Sequence, residues 1–156
     1  MTFAGMAARN RPIGGFTLVE LLVVVVILGI LTALAVPSFN QYQASQAVRS
    51  AASDLVFAMN FARSEAVKRN TDVTVSASST WDEGWVVKAG TLTLREFASH
   101  SGVEIDSDAT SITYKGTGRA TAEATFDITP AVEGVTVQCV RVSGSGKPNN
   151  RTGACS

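Results

Sequence analysis

Three regimes of apolar spacing divide the chain. Across residues 16–36 nearly every position is apolar, a run of about 21 residues. As a helix it would be roughly 31 Å long, enough to cross the core of a bilayer. After Pro37 the apolar positions recur every three or four residues. Val48, Ala52, Leu55, Met59, Ala62 and Ala66 mark one face, while Arg49, Ser53, Asp54, Asn60, Arg63 and Lys68 fall largely outside it. Neither Gly nor Pro occurs in 38–70, and Lys68 and Arg69 suit the negative end of a helix. The pattern predicts one long helix, interrupted or kinked at Pro37, where the ring removes a backbone hydrogen bond. From Thr71 onward the period falls to two. Alternation predicts strands over 72–77, 84–87, 91–97, 103–105, 111–114, 124–128 and 135–142, separated by Gly- and Pro-bearing turns. The fold class expected is α+β: a long N-terminal helix packed on an antiparallel sheet or a small two-sheet sandwich.

Charge adds little at the level of the whole molecule. Thirteen basic residues balance 13 acidic ones, so no net field argues for a polyanionic partner. Locally it adds more. Residues 1–15 carry Arg9 and Arg11, no acid, and end in Gly14-Gly15. A basic segment ahead of an apolar helix places that end in the cytoplasm and exports the remainder. A secretory signal would have a shorter apolar core and a small-residue cut after it, for which Ala33 and Ala35 offer a poor match. A plain anchor accounts for the length but not for Glu20, whose carboxylate near the start of a membrane helix costs about 2–3 kcal/mol unless paired. A third reading accommodates the acid: a cut after Gly15 gives Phe16 a free α-amino group.

The run Gly15-Phe16-Thr17-Leu18-Val19-Glu20-Leu21-Leu22-Val23 resembles the processing and methylation signature of type IV prepilins and type II secretion pseudopilins. The resemblance implies a type IV pilin-like fold and a leader, 1–15, removed between Gly15 and Phe16. It implies a prepilin peptidase that also N-methylates Phe16, an assembly helix over 16–36, and Glu20 neutralising the Phe16 ammonium of a neighbouring subunit. Pro37 matches the family's helix-kinking proline. Residues 37–70 would then be the amphipathic continuation and 71–156 a β-rich domain.

The segment Ala62-Arg63-Ser64-Glu65-Ala66-Val67-Lys68-Arg69, followed by Trp81-Asp82-Glu83-Gly84-Trp85, is similar to the GspH/FimT branch of that superfamily. The branch implies a minor pilin of a type IV pilus, of FimT or FimU type, initiating or capping the filament. The alternative is the minor, H-type pseudopilin of type II secretion. Implied partners are other pilin or pseudopilin subunits, an inner-membrane assembly platform and the membrane itself. The implied location is a single inner-membrane pass with the domain in the periplasm, then a pilus or pseudopilus.

Cys139 and Cys155 are the only cysteines. Export favours their pairing, and closing the loop would be worth roughly 3 kcal/mol. Two cysteines and the lone His100 supply no metal-ligand set, so no metal or other cofactor is expected. His100, between Ser99 and Ser101, reads as an exposed loop residue. Gly116-Thr117-Gly118-Arg119 and Gly144-Ser145-Gly146-Lys147 lack phosphate-loop spacing and read as turns. Glu104, Asp106 and Asp108 read as a solvated face. No catalytic constellation emerges, and the chain is expected not to be an enzyme. The C-terminal stretch 138–156 carries Arg141, Lys147 and Arg151 and no acid. FimT-type pilins of competent bacteria bind DNA through a basic C-terminal element containing a GRxR-like run. Here Gly146-Lys147 stands for its start and the second arginine is displaced to Arg151, past Pro148. DNA capture and a solvated, disulfide-closed loop touching the next subunit are the two readings of this patch.

Overall fold

The computed structural model describes residues 15–155, without the side chains of Leu34, Ala35 and Pro37. The expected leader, apart from Gly15, lies outside the described residues, as does the ring of Pro37 expected to bend the helix. Helix α1 spans Leu18–Arg69, and helical residues run on through Pro37. Its C-terminal end is closed by Asn70, which takes a left-handed conformation (φ 50°). The amides of Thr71 and Asn70 reach back to the carbonyls of Ala66 and Val67 at 3.2 and 3.3 Å. This Schellman geometry satisfies carbonyls the helix leaves orphaned and turns the chain toward the first strand.

Two compact units share this helix, one ending at Pro37 and one beginning at Ser38. In the second, eight strands follow α1: β1 (Val73–Ala77), β2 (Gly84–Ala89), β3 (Leu92–Ala98), β4 (Val103–Ser107), β5 (Ser111–Tyr114), β6 (Ala124–Pro130), β7 (Gln138–Val142) and β8 (Pro148–Thr152). They form two antiparallel four-stranded sheets, ordered β3-β2-β1-β5 and β4-β6-β7-β8. Of the two architectures open at the sequence level, two sheets is the one adopted.

The expected apolar stripe is the buried one. Val48, Ala52, Leu55, Met59, Ala62 and Ala66 are all inaccessible to solvent, joined by Ala51 and Ala58. Alanines at five of these eight positions leave room on the helix face, and Trp85, Tyr114, Phe126, Ile112 and Ile128 supply the volume. Trp81 meets Phe126 edge-on at 4.8 Å, and its indole N–H donates to the carbonyl of Ala109 at 2.7 Å. Trp81 therefore stands in the turn ahead of β2, and the strand itself begins at Gly84. Gly84 is required there: at φ +105° a Cβ would lie 2.3 Å from the carbonyl oxygen of Phe97.

Two expectations about strands need correction. Residues 135–137 are not strand, and β7 starts at Gln138. The stretch 148–152, expected to be loop, is β8, an edge strand paired along its whole length with β7.

Candidate functional site

The N-terminal end of α1 is built from the residues of the processing signature. Gly15 and Phe16 precede the helix, and Phe16 is exposed. Thr17 caps it, its hydroxyl accepting the amide N–H of Glu20 at 3.2 Å. Glu20 thus occupies the third helical position, where a carboxylate also complements the positive end of the helix dipole. The sequence reading missed this second role, although the Thr-x-x-Glu spacing signals it. Among the described residues Glu20 has no ion-pair partner.

Beyond Glu20 the helix is apolar and bare. Its large side chains from Leu18 to Leu31 are exposed to between 44% (Val24) and 79% (Leu18), whereas the core residues of the second unit are near zero. The segment is long and apolar enough to cross a membrane. Thr32, a polar side chain within it, satisfies its hydroxyl internally on the carbonyls of Leu28 and Gly29 at 2.8 and 3.0 Å. A hydroxyl turned back onto its own helix is suited to surroundings without water.

The cationic patch rests on the β7–β8 hairpin. Arg141 lies opposite Asn149, and Arg151 opposite Cys139. Alternation puts both on the face of the sheet away from Val140 and Val142, which are buried. Lys147 closes the turn, its carbonyl accepting the Ser143 amide at 3.3 Å, and all three cations are exposed. The structure therefore gathers Arg141, Lys147 and Arg151 onto one hairpin. Arg151 is not wholly mobile, because its guanidinium donates to the Ala154 carbonyl at 3.2 Å.

Cys139 and Cys155 form a disulfide that folds the tail across this same face. The Cys155 amide donates to Asp127 Oδ1 at 2.6 Å, and Asp127 sits opposite Cys139 in the ladder. One carboxylate thus lies one strand in from Arg141 and two from Arg151.

Both glycine-rich segments are turns, and they touch. Gly146, at φ +81°, leaves no room for a side chain: a Cβ would stand 2.4 Å from the Gly118 carbonyl oxygen. That carbonyl also accepts Arg63 Nε from α1 at 2.9 Å. Beneath them Tyr114 is buried, and burial pushes its hydroxyl up to about 12, with Arg63 pulling weakly the other way.

His100 does not match its expectation. It is largely buried, 3.2 Å from Asp54 on α1 and stacked on Trp85, so it ties the β3–β4 connection to the helix. Asp108 also departs from a merely solvated role, accepting both the amide and the hydroxyl of Thr125 at 2.9 and 3.1 Å. Glu104 and Asp106 are exposed, as expected. Among the described residues, no three His, Cys, Asp or Glu side chains gather as metal ligands do.

Comparison with known proteins gives independent landmarks. The family described as type II transport protein GspH matches residues 51–146, and the prokaryotic N-terminal methylation motif matches residues 10–36. A fimbrial protein of Pseudomonas aeruginosa is 41% identical over 64 residues, 41% of each chain. The type IV major pilin protein PilA of Myxococcus xanthus is 49% identical over 47 residues, 30% of this chain and 20% of that one. The chain therefore spans about two fifths or less of the length of these curated relatives. Among solved structures, the type IV minor pilin FimU of P. aeruginosa superimposes with a TM-score of 0.60 at 20% identity, covering 67% of this chain and 87% of that one. The minor pseudopilin EpsH of the Vibrio cholerae type 2 secretion system gives 0.55 at 13% identity, covering 67% and 96%. At these identities the two structures speak for the fold.

Proposed function

The chain belongs to the GspH family of type II transport proteins, and on that premise we propose that it is a minor pilin of a type IV pilus that initiates or caps filament assembly. Its family is one of structural pilin and pseudopilin subunits. The observation that carries the proposal is the bare apolar helix with a carboxylate at its start. Among the described residues nothing covers 18–31, and lipid before assembly, with other helices after it, would do so.

In this mechanism a peptidase cuts between Gly15 and Phe16 and methylates the new terminus. The protein waits in the inner membrane with residues 38–156 in the periplasm. On assembly its helix leaves lipid for a bundle of helices, on the membrane's assembly platform, where Glu20 meets the terminal ammonium of a neighbour. Burying that carboxylate unpaired would cost several kcal/mol, so the pairing sets register as well as affinity. Pro37 gives the helix a point at which to bend. The H-type pseudopilin of type II secretion is the alternative, with the same helix chemistry in a shorter filament.

Glu20→Ala tests the proposal. Expected is a protein that is still cut and still in the membrane but absent from sheared filaments, while Glu20→Gln, which keeps the helix start polar, is absent too. Recovery of either variant in filaments at the parent level would end the pairing idea. Thr17→Ala separates capping from pairing, since loss of the cap alone leaves incorporation intact.

A second reading is favoured by the gathering of Arg141, Lys147 and Arg151 on one hairpin: capture of DNA by its phosphates. Three contacts predict weak binding with a log–log salt slope no steeper than about −2.7. Replacing all three by Ala is expected to abolish it, and no binding of duplex DNA at low salt by the parent would remove this reading.

A further inference from the structure

Sheet β4-β6-β7-β8 ends in two edge strands, β4 and β8. Which of their backbone groups face outward follows from the phase of the ladder. The Ala131 amide donates to the Gly102 carbonyl at 2.9 Å, one step beyond the Val103–Pro130 pair and in the same register. Antiparallel pairs alternate between bonded and non-bonded, so Glu104 and Asp106 turn their N–H and C=O toward β6. Val103, Ile105 and Ser107 turn theirs away from the sheet. Among the described residues these outward groups have no other hydrogen-bond partner. At β8 the Ser143 amide on the Lys147 carbonyl (3.3 Å) and the Gly153 amide on the Val137 carbonyl (2.8 Å) set the phase, leaving Pro148, Asn150 and Thr152 outward. Proline offers no N–H, and that edge shares a groove with Ser45, Arg49 and Ser53 of α1. Strand β8 is thus a blunted edge, and β4 is one that can still pair.

Charge decides what the β4 edge admits. Glu104 and Asp106 are exposed on one face of the strand, and neither has an ion-pair partner among the described residues. Beside the edge lies a cleft of about 540 Å³, bordered also by Asp82, with no lysine or arginine in its lining. Ile105 and Trp81 contribute its apolar surface. A strand laid antiparallel along β4 would bond to Val103, Ile105 and Ser107. Its residues opposite Glu104 and Asp106 would then fall at non-bonded pairs, where facing side chains come closest. The residue between those two would share the face of Ile105, toward the cleft's apolar surface.

We propose that the β4 edge binds an extended, cationic segment of a partner protein as a fifth strand of this sheet. The segment carries Lys or Arg at alternate positions, opposite Glu104 and Asp106, with an apolar residue between them opposite Ile105. The outward backbone groups of Val103, Ile105 and Ser107 supply pairing that is the same for any sequence. The carboxylates supply the choice, because an acidic strand would set like charges directly opposite each other. The inference goes beyond the pilin reading. It needs neither Glu20 nor the cations of the β7–β8 hairpin, and a single copy of this chain suffices, which accords with a subunit that initiates or caps a filament.

The test uses the detergent-solubilised full-length protein and a fluorescent peptide, Ser-Thr-Lys-Val-Lys-Val-Lys-Thr-Ser, with binding read by anisotropy. Three control peptides accompany it. One has Glu for each Lys, one has the same composition with its lysines adjacent, and one is N-methylated at the valine amides that would bond to β4. The alternating peptide is expected to bind about tenfold more tightly than the clustered and methylated controls, and the acidic one not at all. Glu104→Lys with Asp106→Lys should reverse the preference in favour of the acidic peptide. Glu104→Gln with Asp106→Asn is the second variant should that reversal lose the folded domain, and it should weaken the alternating peptide about tenfold. Bound peptide should slow hydrogen exchange at the Val103, Ile105 and Ser107 amides far more than at Glu104 and Asp106, which already bond to β6. Replacing Arg141, Lys147 and Arg151 by Ala should leave all of this unchanged. No binding, equal affinity for the clustered or methylated peptide, or protection at Asn150 and Thr152 instead would each overturn the proposal. So would protection of Ile105 that rises with protein concentration in the absence of peptide, which would give the edge to a second copy. Filaments are not scored, so failure here leaves the Glu20 experiment to decide the pilin reading alone.

Discussion

The same aliphatic residues obey opposite rules in the two halves of α1. Between Leu18 and Leu31 they are bare; between Val48 and Ala66 the apolar stripe is fully covered by the sheets. In the first stretch apolar residues surround the helix on all sides, and in the second they keep to one face. A helix that is apolar all round is selected by what lies outside the chain, lipid or other helices, whereas a striped one is selected by its own domain. The first stretch is thus specified by assembly and the second by folding.

Substitutions can break that contrast. The largest effect expected on folding is Phe126→Ala, which removes a fully buried ring packed edge-on to Trp81. It should lower domain stability by about 3–5 kcal/mol in urea unfolding of the detergent-solubilised protein. Replacing Cys139 and Cys155 together by Ser opens a link between residues 16 apart and should cost about 3 kcal/mol by the same measurement. Gly146→Ala forces a side chain onto the Gly118 carbonyl at a positive φ and should cost about 1–3 kcal/mol. Val25→Ala, on the bare helix, should change domain unfolding by less than about 0.5 kcal/mol. A Val25→Ala effect on unfolding as large as that of Gly146→Ala would show that the domain does depend on the apolar helix.

Much of this was legible in the residues, for identifiable reasons. The stripe Val48, Ala52, Leu55, Met59, Ala62, Ala66 was readable because a single buried face imposes period 3.6. The strands β1, β2, β4, β5 and β6 were readable because one side of each is core. Strand β8 was not, since four of its five residues are exposed and polar and it opens with proline, which an edge strand tolerates and a turn favours. His100 was unreadable because its partners, Asp54 and Trp85, are distant in sequence. At the candidate sites, the expectations for Gly15, Phe16 and Glu20 rest on their fixed spacing. The hairpin that gathers Arg141, Lys147 and Arg151 depended on β8, which has no local signature.

The disulfide also has a mechanical meaning. A subunit of a filament under tension is loaded through its long helix and through whatever its outer surface has gripped. Force applied to the C-terminal residues enters at Cys155 and passes through sulfur directly to Cys139 on β7. The β7–β8 hairpin and its turn lie inside that covalent loop and are bypassed, so an edge strand held only by its ladder to β7 never bears the load. The weakest-paired element of the sheet is thereby shielded from tension, and the strands that must resist it are β6 and β7, which have neighbours on both sides.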